Sequence, residues 1–219
     1  MENIKNELEE AFTKIYDKNI WLRKKSKSGS GSDDEETKYV KKELIEFIKT
    51  NNIKSILDIG CGDFNWMKKI IEKTNIKYLG VDFVKPLIED NNKKYASNNI
   101  KFEFLNYNHN NFPDAELIIC RDVLVHLSFK NIFNFFEKLK ITNFKYIFIT
   151  NFIKKERENL DGEVTNQLIW WMPLNLYKTP FNLPESKFII NEKLKHIEFN
   201  DKSLCLWEKS DIKKINNIK

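Results

Sequence analysis

The amino-acid sequence predicts a doubly wound α/β fold built on a mostly parallel sheet. Three observations carry this. From Ser55 onward, short apolar runs alternate with longer amphipathic ones. The apolar runs are nearly continuous, as expected of strands covered on both faces by helices. The first run, SILDIG, passes into two glycines two residues apart, Gly60 and Gly62, which suits a sharp strand-to-helix turn close to a ligand.

Taken in order, residues 2–18 read as an amphipathic helix with Ile4, Leu8, Phe12 and Ile15 on one face. Residues 19–37 carry an alternation of Ser and Gly. They are either a flexible linker or a glycine-rich connection whose amides approach a ligand. A second helix follows over 35–52, with Val40, Leu44, Phe47 and Ile48 spaced for burial. Strands are expected at 55–60, 77–82, 100–106, 115–122 and 145–152, and helices at 63–74, 85–97 and 128–140. Residues 152–185 have no clear period, three prolines and the adjacent pair Trp170 and Trp171. Two last strands, 187–193 and 203–208, are close enough to pair as an antiparallel hairpin across the charged segment between them. The chain reads as one domain: 1–50 front helices and Gly/Ser loop, 51–151 ligand-binding half, 152–185 cover, 186–208 final strands and 209–219 basic tail.

Composition narrows the function. With 41% hydrophobic, 32% charged and 13% aromatic residues, the chain is globular rather than disordered. The formal charge of +5 draws on the lysines of the C-terminal KSDIKKINNIK, which leaves the folded core nearer neutral and weakens the case for nucleic acid. Cys61, Cys120 and Cys205 are odd in number and far apart, so neither a disulfide framework nor a zinc site is indicated. No compact His/Asp/Glu cluster announces a catalytic metal. No run approaches a membrane span, and MENIKNELEE is charged throughout, unlike a secretory signal. A cytosolic location is expected.

The residues ending the strands come first under suspicion, because ligands of open α/β sheets bind there. Asn65 stands where a dinucleotide-binding turn would need its third glycine, and Asp63, at the expected helix start, would repel a pyrophosphate. It would tolerate a cationic amine. Asp82 ends the second strand and can accept hydrogen bonds from both hydroxyls of a ribose.

Together LDIGCG and GVD resemble the first two motifs of the class I S-adenosylmethionine-dependent methyltransferases, a likeness that runs from about Ser55 to Asn151. The resemblance implies a seven-stranded Rossmann-like sheet and S-adenosyl-L-methionine as cofactor. It also implies that Asp58, Gly60 and Gly62 line the methionine end, that Asp82 holds the ribose and that Asn106 lies by the adenine. Cys61, Phe83, Tyr107 and Arg121 complete the expected cofactor set. The further stretches SGSGS, CGDFNWM, CRDVLVHL, ITNF and PLNLYKTPFNLPE look like small bacterial methyltransferases encoded beside surface-polysaccharide genes. That implies methylation of a hydroxyl on a small glycan precursor such as a nucleotide-linked sugar. Phe152 stands where the same likeness would place an aspartate.

An alcohol acceptor needs a base to take its proton. Asp122 and His126, four residues apart in CRDVLVHL at the expected start of a helix, are the candidates, singly or as a pair. Arg121 can pair with a substrate phosphate or with a neighbouring acid. Ser28, Ser30, Ser32, Asp63, Trp66, Asn151 and Trp170 are the expected acceptor-binding residues, with at least one of Trp170 and Trp171 closing the site as a lid. His109 and His196 are read as solvent-exposed, without a role. The alternatives are another small acceptor (a phosphorus-linked oxygen or an amine), a protein or RNA acceptor, and a non-catalytic cofactor-binding protein.

Overall fold

The computed structural model describes residues 7–20, 26, 28–106, 110–165, 167–168 and 170–215. Tyr107, His109 and the side chain of Ser30 lie outside the described residues. In chain order the elements are α1 (Glu7–Asp17), α2 (Lys38–Thr50), β1 (Ser55–Ile59), α3 (Met67–Thr74), β2 (Lys77–Asp82), α4 (Lys85–Tyr95) and β3 (Ile100–Phe104). Then come β4 (Leu117–Cys120), α5 (Phe129–Ile141), β5 (Tyr146–Phe152), β6 (Phe188–Asn191), β7 (Lys202–Glu208) and α6 (Lys209–Ile212).

The strands form one seven-stranded sheet in the order β3-β2-β1-β4-β5-β7-β6. Strands β1 to β5 pair in parallel, with Leu57 opposite Leu79 and Ile118. β7 runs antiparallel between β5 and β6, and so the C-terminal pair joins the sheet as the spacing predicts. Continuous apolar sequence and two-sided burial coincide in β4, where all four residues are buried, and in β1, where Ile56, Leu57 and Ile59 are. Both helices flanking the centre present one apolar stripe to it, Val40, Leu44 and Ile48 on α2 and Ile132, Phe135, Phe136 and Leu139 on α5.

The order reverses between β1 and β4: the chain steps outward to β3, then crosses back. Their carboxyl ends therefore part around a crevice, where such sheets bind ligands. Two turns line it, and both differ from the sequence reading. α3 begins at Met67, not at 63, because Gly60, Gly62 and Phe64 take positive φ (72°, 54° and 60°) and hold the chain out of a helix. The Phe64 ring is anchored among Tyr78, Tyr95 and Phe102 at 4.8–5.4 Å. After β4, Asp122 is also left-handed (φ 59°), a 3-10 turn spans Leu124–His126, and α5 starts only after its Ser128 cap. Asp122 and His126 thus do not share a helical face.

The described residues of 153–187 carry neither helix nor strand, yet several are tied to the sheet. Val164 donates to the His126 carbonyl (3.1 Å), Met172 to that of Val125 (2.8 Å), and Phe152 to that of Leu174 (2.8 Å). The segment is thereby tied across the strand ends. Among the described residues no helix is long and apolar enough to cross a membrane, and no three His, Cys, Asp or Glu side chains gather as a metal site.

Candidate active site

A cavity of about 890 Å³ opens at the carboxyl ends of β1, β2 and β4, within the size range of small-molecule sites. One end is formed by Gly60, Cys61, Gly62, Asp82, Phe83, Val84 and Leu87, with Phe12 and Tyr16 of α1 across from them. The other end has Asp122, His126, Phe152, Trp171, Lys195, His196, Phe199 and Lys202. The Gly/Ser loop, through Ser28, Gly29, Gly31 and Ser32, lies along the side between them.

At the first end the backbone itself is the surface. A Cβ on Gly60 would stand 2.3 Å from Val123 Cγ2, and one on Gly62 2.4 Å from Ser28 Oγ, so neither turn position has room for a side chain. Asp82 is held by two backbone donors, the N–H of Gly62 (3.2 Å) and that of Val84 (3.1 Å). Burial still dominates and raises its carboxyl to about 6. Asp58 lies deeper, accepting from the Tyr78 hydroxyl at 2.7 Å, and desolvation lifts it to about 7. The loop closes over this turn: Ser28 Oγ accepts from the Asp63 N–H (2.8 Å), and Asn65 Nδ2 donates to the Ser32 carbonyl (2.7 Å).

The second end is organised by four charges, three of them buried (Arg121, Glu192 and Lys202) and one, Asp122, half-buried. Arg121 forks onto Glu192 through Nε (3.1 Å) and NH2 (2.5 Å), and gives NH1 to the Gly31 carbonyl (2.8 Å). Lys202 Nζ stands 2.6 Å from Asp122 and 3.3 Å from Glu192, and Arg121 NH1 is 3.3 Å from Asp122. Burial works against the charge on Asp122, but Lys202 and Arg121 outweigh it and hold the carboxyl at about 2. Two cations and two carboxylates balance, which is what makes their burial tolerable.

His126 faces the same space. Its Nδ1 lies 2.7 Å from the Trp170 carbonyl. A carbonyl only accepts, so Nδ1 carries the proton and the basic lone pair is on Nε2. Desolvation lowers its pKa below the ordinary value, and Lys202 adds to this while Asp122 opposes it, so the ring is neutral at pH 7. Over this end sits an aromatic corner, with Trp171 nearly perpendicular to Phe152 (86°) and Phe199 (85°). Arg157 braces it from behind, bonded to Asp201 (2.8 and 2.5 Å) and to the Glu198 carbonyl, with its guanidinium 5.1 Å from the Phe152 ring.

Of the residues expected from sequence, Ser28, Ser32, Gly60, Cys61, Gly62, Trp66, Asp82, Phe83, Arg121, Asp122 and His126 line this one cavity. Others do not. Asp58, Asp63, Asn106, Asn151 and Trp170 stand outside the lining. Asp63 precedes α3 by four residues and accepts from the Asn65 N–H (3.4 Å), so the argument that placed it at a helix N-terminus loses its premise. Asn151 is buried in β5, where its Oδ1 accepts from Leu176 (2.7 Å). Trp170 packs on Gly162 and offers only its carbonyl to the site, while its neighbour Trp171 supplies the ring. Arg121 is committed to acids rather than to a phosphate. Ser28 abuts the glycine turn itself, so the loop borders both ends of the cavity. The residues missed were Glu192, Phe199 and Lys202: Glu192 fell in an expected strand and the other two in the charged segment after it, while His196 is exposed as expected and also lines the cavity.

Residues 56–141 match the family model described as "Methyltransferase domain". The chain is 32% identical over 129 residues to the phosphoethanolamine N-methyltransferase of Plasmodium falciparum. The match takes in 56% of this chain and 48% of that protein, so the chain spans about half the length of the curated relative it matches. Human N-acetylserotonin methyltransferase, solved with S-adenosylmethionine, superposes with a TM-score of 0.51 at 17% identity, covering 69% of this chain and 44% of its own. The methyltransferase domain of a bacterial CtHen1 gives 0.48 at 15% identity, over 53% of this chain and 66% of its own.

Proposed function

We infer, from the premise that residues 56–141 form a methyltransferase domain whose cofactor is S-adenosylmethionine, that the whole chain transfers a methyl group to a small polar acceptor bound at the second end of the cavity. One observation carries this reading. A glycine turn without room for a side chain and a carboxylate pinned to that same turn form one end of a single cavity, and a neutral histidine lines the other.

The residues fit the cofactor. Gly60 to Gly62 offer a backbone surface for its amino-acid moiety, Asp82 offers two oxygens to a ribose diol, and Phe83 and Leu87 offer apolar contact to a base. When bound, S-adenosylmethionine supplies a methyl group on a positively charged sulfur. The chain's own work is then to place a nucleophile in line, exclude water and remove a proton. For the last task the two candidates separate. Asp122, held at about 2 and paired with two cations, is a poor base, whereas His126 is neutral with its lone pair on Nε2. His126 is the base, and Asp122 favours the imidazolium that forms.

The finer reading is a hydroxyl of a small glycan precursor such as a nucleotide-linked sugar. It is supported by the likeness of the flanking segments and by the aromatic corner of Phe152, Trp171 and Phe199, which suits the apolar face of a ring. The test of the function as a whole is calorimetric titration of S-adenosylhomocysteine into the purified protein and into Asp82→Ala. Micromolar binding that the substitution abolishes is expected; no binding to the unsubstituted protein would overturn the reading.

A further inference from the structure

Lys202 opens β7 directly opposite Phe152, the last residue of β5, and so a lysine is carried to the sheet edge where Asp122 and His126 stand. Its side chain is only 7% exposed, yet it lines the cavity. An ammonium has three donors. One donates to Asp122 Oδ2 at 2.6 Å and the ammonium is ion-paired with Glu192 at 3.3 Å, so even with a donor turned to each carboxylate a third remains. Lys202 and His126 also share one neighbourhood, since the charge on Lys202 acts on the imidazole.

Resting on the methyltransferase reading above, we propose that Lys202 is a further catalytic residue, donating its third N–H to the reacting atom of the acceptor, and that this donor restricts the acceptor to an oxygen nucleophile. The reason is a count of lone pairs. A hydroxyl oxygen has one hydrogen and two lone pairs. It gives the hydrogen to His126 Nε2, accepts from Lys202 with one pair and attacks with the other. A neutral amine has a single lone pair, and a hydrogen bond from Lys202 would occupy the pair needed for attack. In the transfer the acceptor oxygen forms its bond to the methyl carbon, and the carbon–sulfur bonding pair stays on sulfur. The hydroxyl proton passes to Nε2 and leaves later to solvent. Negative charge developing on the oxygen is met by a preorganised cation, and the loss of one such donor costs on the order of a hundredfold in rate.

The experiment uses S-adenosylmethionine with a carbon-13 methyl group, the full chain, and two acceptor sources. One is a protein-free small-molecule extract of the cells that carry this chain, and the other is phosphoethanolamine as a defined amine. The methyl resonance of the product distinguishes O-methyl from N-methyl. We expect label on oxygen, roughly a hundredfold slower in Lys202→Met and partly restored in Lys202→Arg, with S-adenosylhomocysteine affinity unchanged in both. Label on nitrogen, or a Lys202→Met rate equal to that of the unsubstituted protein, would overturn the assignment. Bound S-adenosylhomocysteine with no labelled product from either source overturns it as well, whereas failure to bind S-adenosylhomocysteine sinks the methyltransferase reading itself. Should Lys202→Met fail to fold, Asp122→Asn/Lys202→Gln, which removes the charges as a pair, is measured instead.

Discussion

Asp82 is a buried carboxyl and Asp122 a half-buried one, at the carboxyl ends of β2 and β4, and their surroundings push them in opposite directions. Around Asp82, desolvation prevails over backbone donors and raises the carboxyl to about 6. Around Asp122, Lys202 and Arg121 prevail over desolvation. The sign of the first has two consequences. The folded chain holds the Asp82 proton more tightly than the unfolded chain does, so this group costs stability progressively as pH rises from the ordinary carboxylate range to about 6. Ribose hydroxyls need the ionised acceptor, so S-adenosylhomocysteine affinity is expected to be full above pH 6 and to fall as pH drops through it. Calorimetry across pH 5 to 7.5 checks this; Asp82→Asn should bind weakly and lose the pH dependence. Asp82 was legible because a strand end in an alternating α/β sequence marks the crevice. Glu192 and Lys202 were not, because their partners Arg121 and Asp122 lie 71 and 80 residues away and only the sheet brings them together. Trp170 and Trp171 show the same limit at closest range: neighbours of one type, told apart only by the backbone that turns one ring inward.

At the scale of elements, each apolar run became a strand, and the errors lie at the two turns after β1 and β4. Sequence periodicity started the helix after β1 at 63, but left-handed residues delay it to Met67 and leave room for the crevice; after β4 the helix begins within a residue of its expected start, and the left-handed Asp122 and a 3-10 turn fill the interval. Gly60 is the sensitive position. An alanine there would force its Cβ to within 2.3 Å of Val123 Cγ2 at a φ of +72°. Gly60→Ala should cost about 1–3 kcal/mol in denaturant unfolding and at least tenfold in S-adenosylhomocysteine affinity. The turn from Glu192 to Asp201 was half read. Lys193, Lys195, His196 and Glu198 are exposed as their charge signals, but Glu192 and Asp201 are buried, and Arg157 bonded to Asp201 holds the turn beside the cavity.

Across the whole molecule, the cofactor end is built from residues close together in sequence and the acceptor end from segments far apart. That difference explains why the one was readable and the other was not. It also separates what a substitution disturbs. Arg157 touches none of the cofactor-end residues, but it holds Asp201, the Glu198 carbonyl and the Phe152 and Phe199 rings. Arg157→Ala is therefore expected to expose residues 153–201 to limited proteolysis at lower protease concentration while S-adenosylhomocysteine affinity stays the same. Equal loss of both would show the two ends to be one cooperative unit.

The position of β7 between β5 and β6 matters on the ribosome. β6 is synthesised before its neighbour and cannot take its place against β5, because that edge belongs to a strand not yet made. The nascent chain can thus complete the cofactor half early, while Arg121 and Asp122 wait for Glu192 and Lys202 to neutralise them. The charges of Arg121 and Asp122 are therefore matched only when the last strand of the sheet is in place.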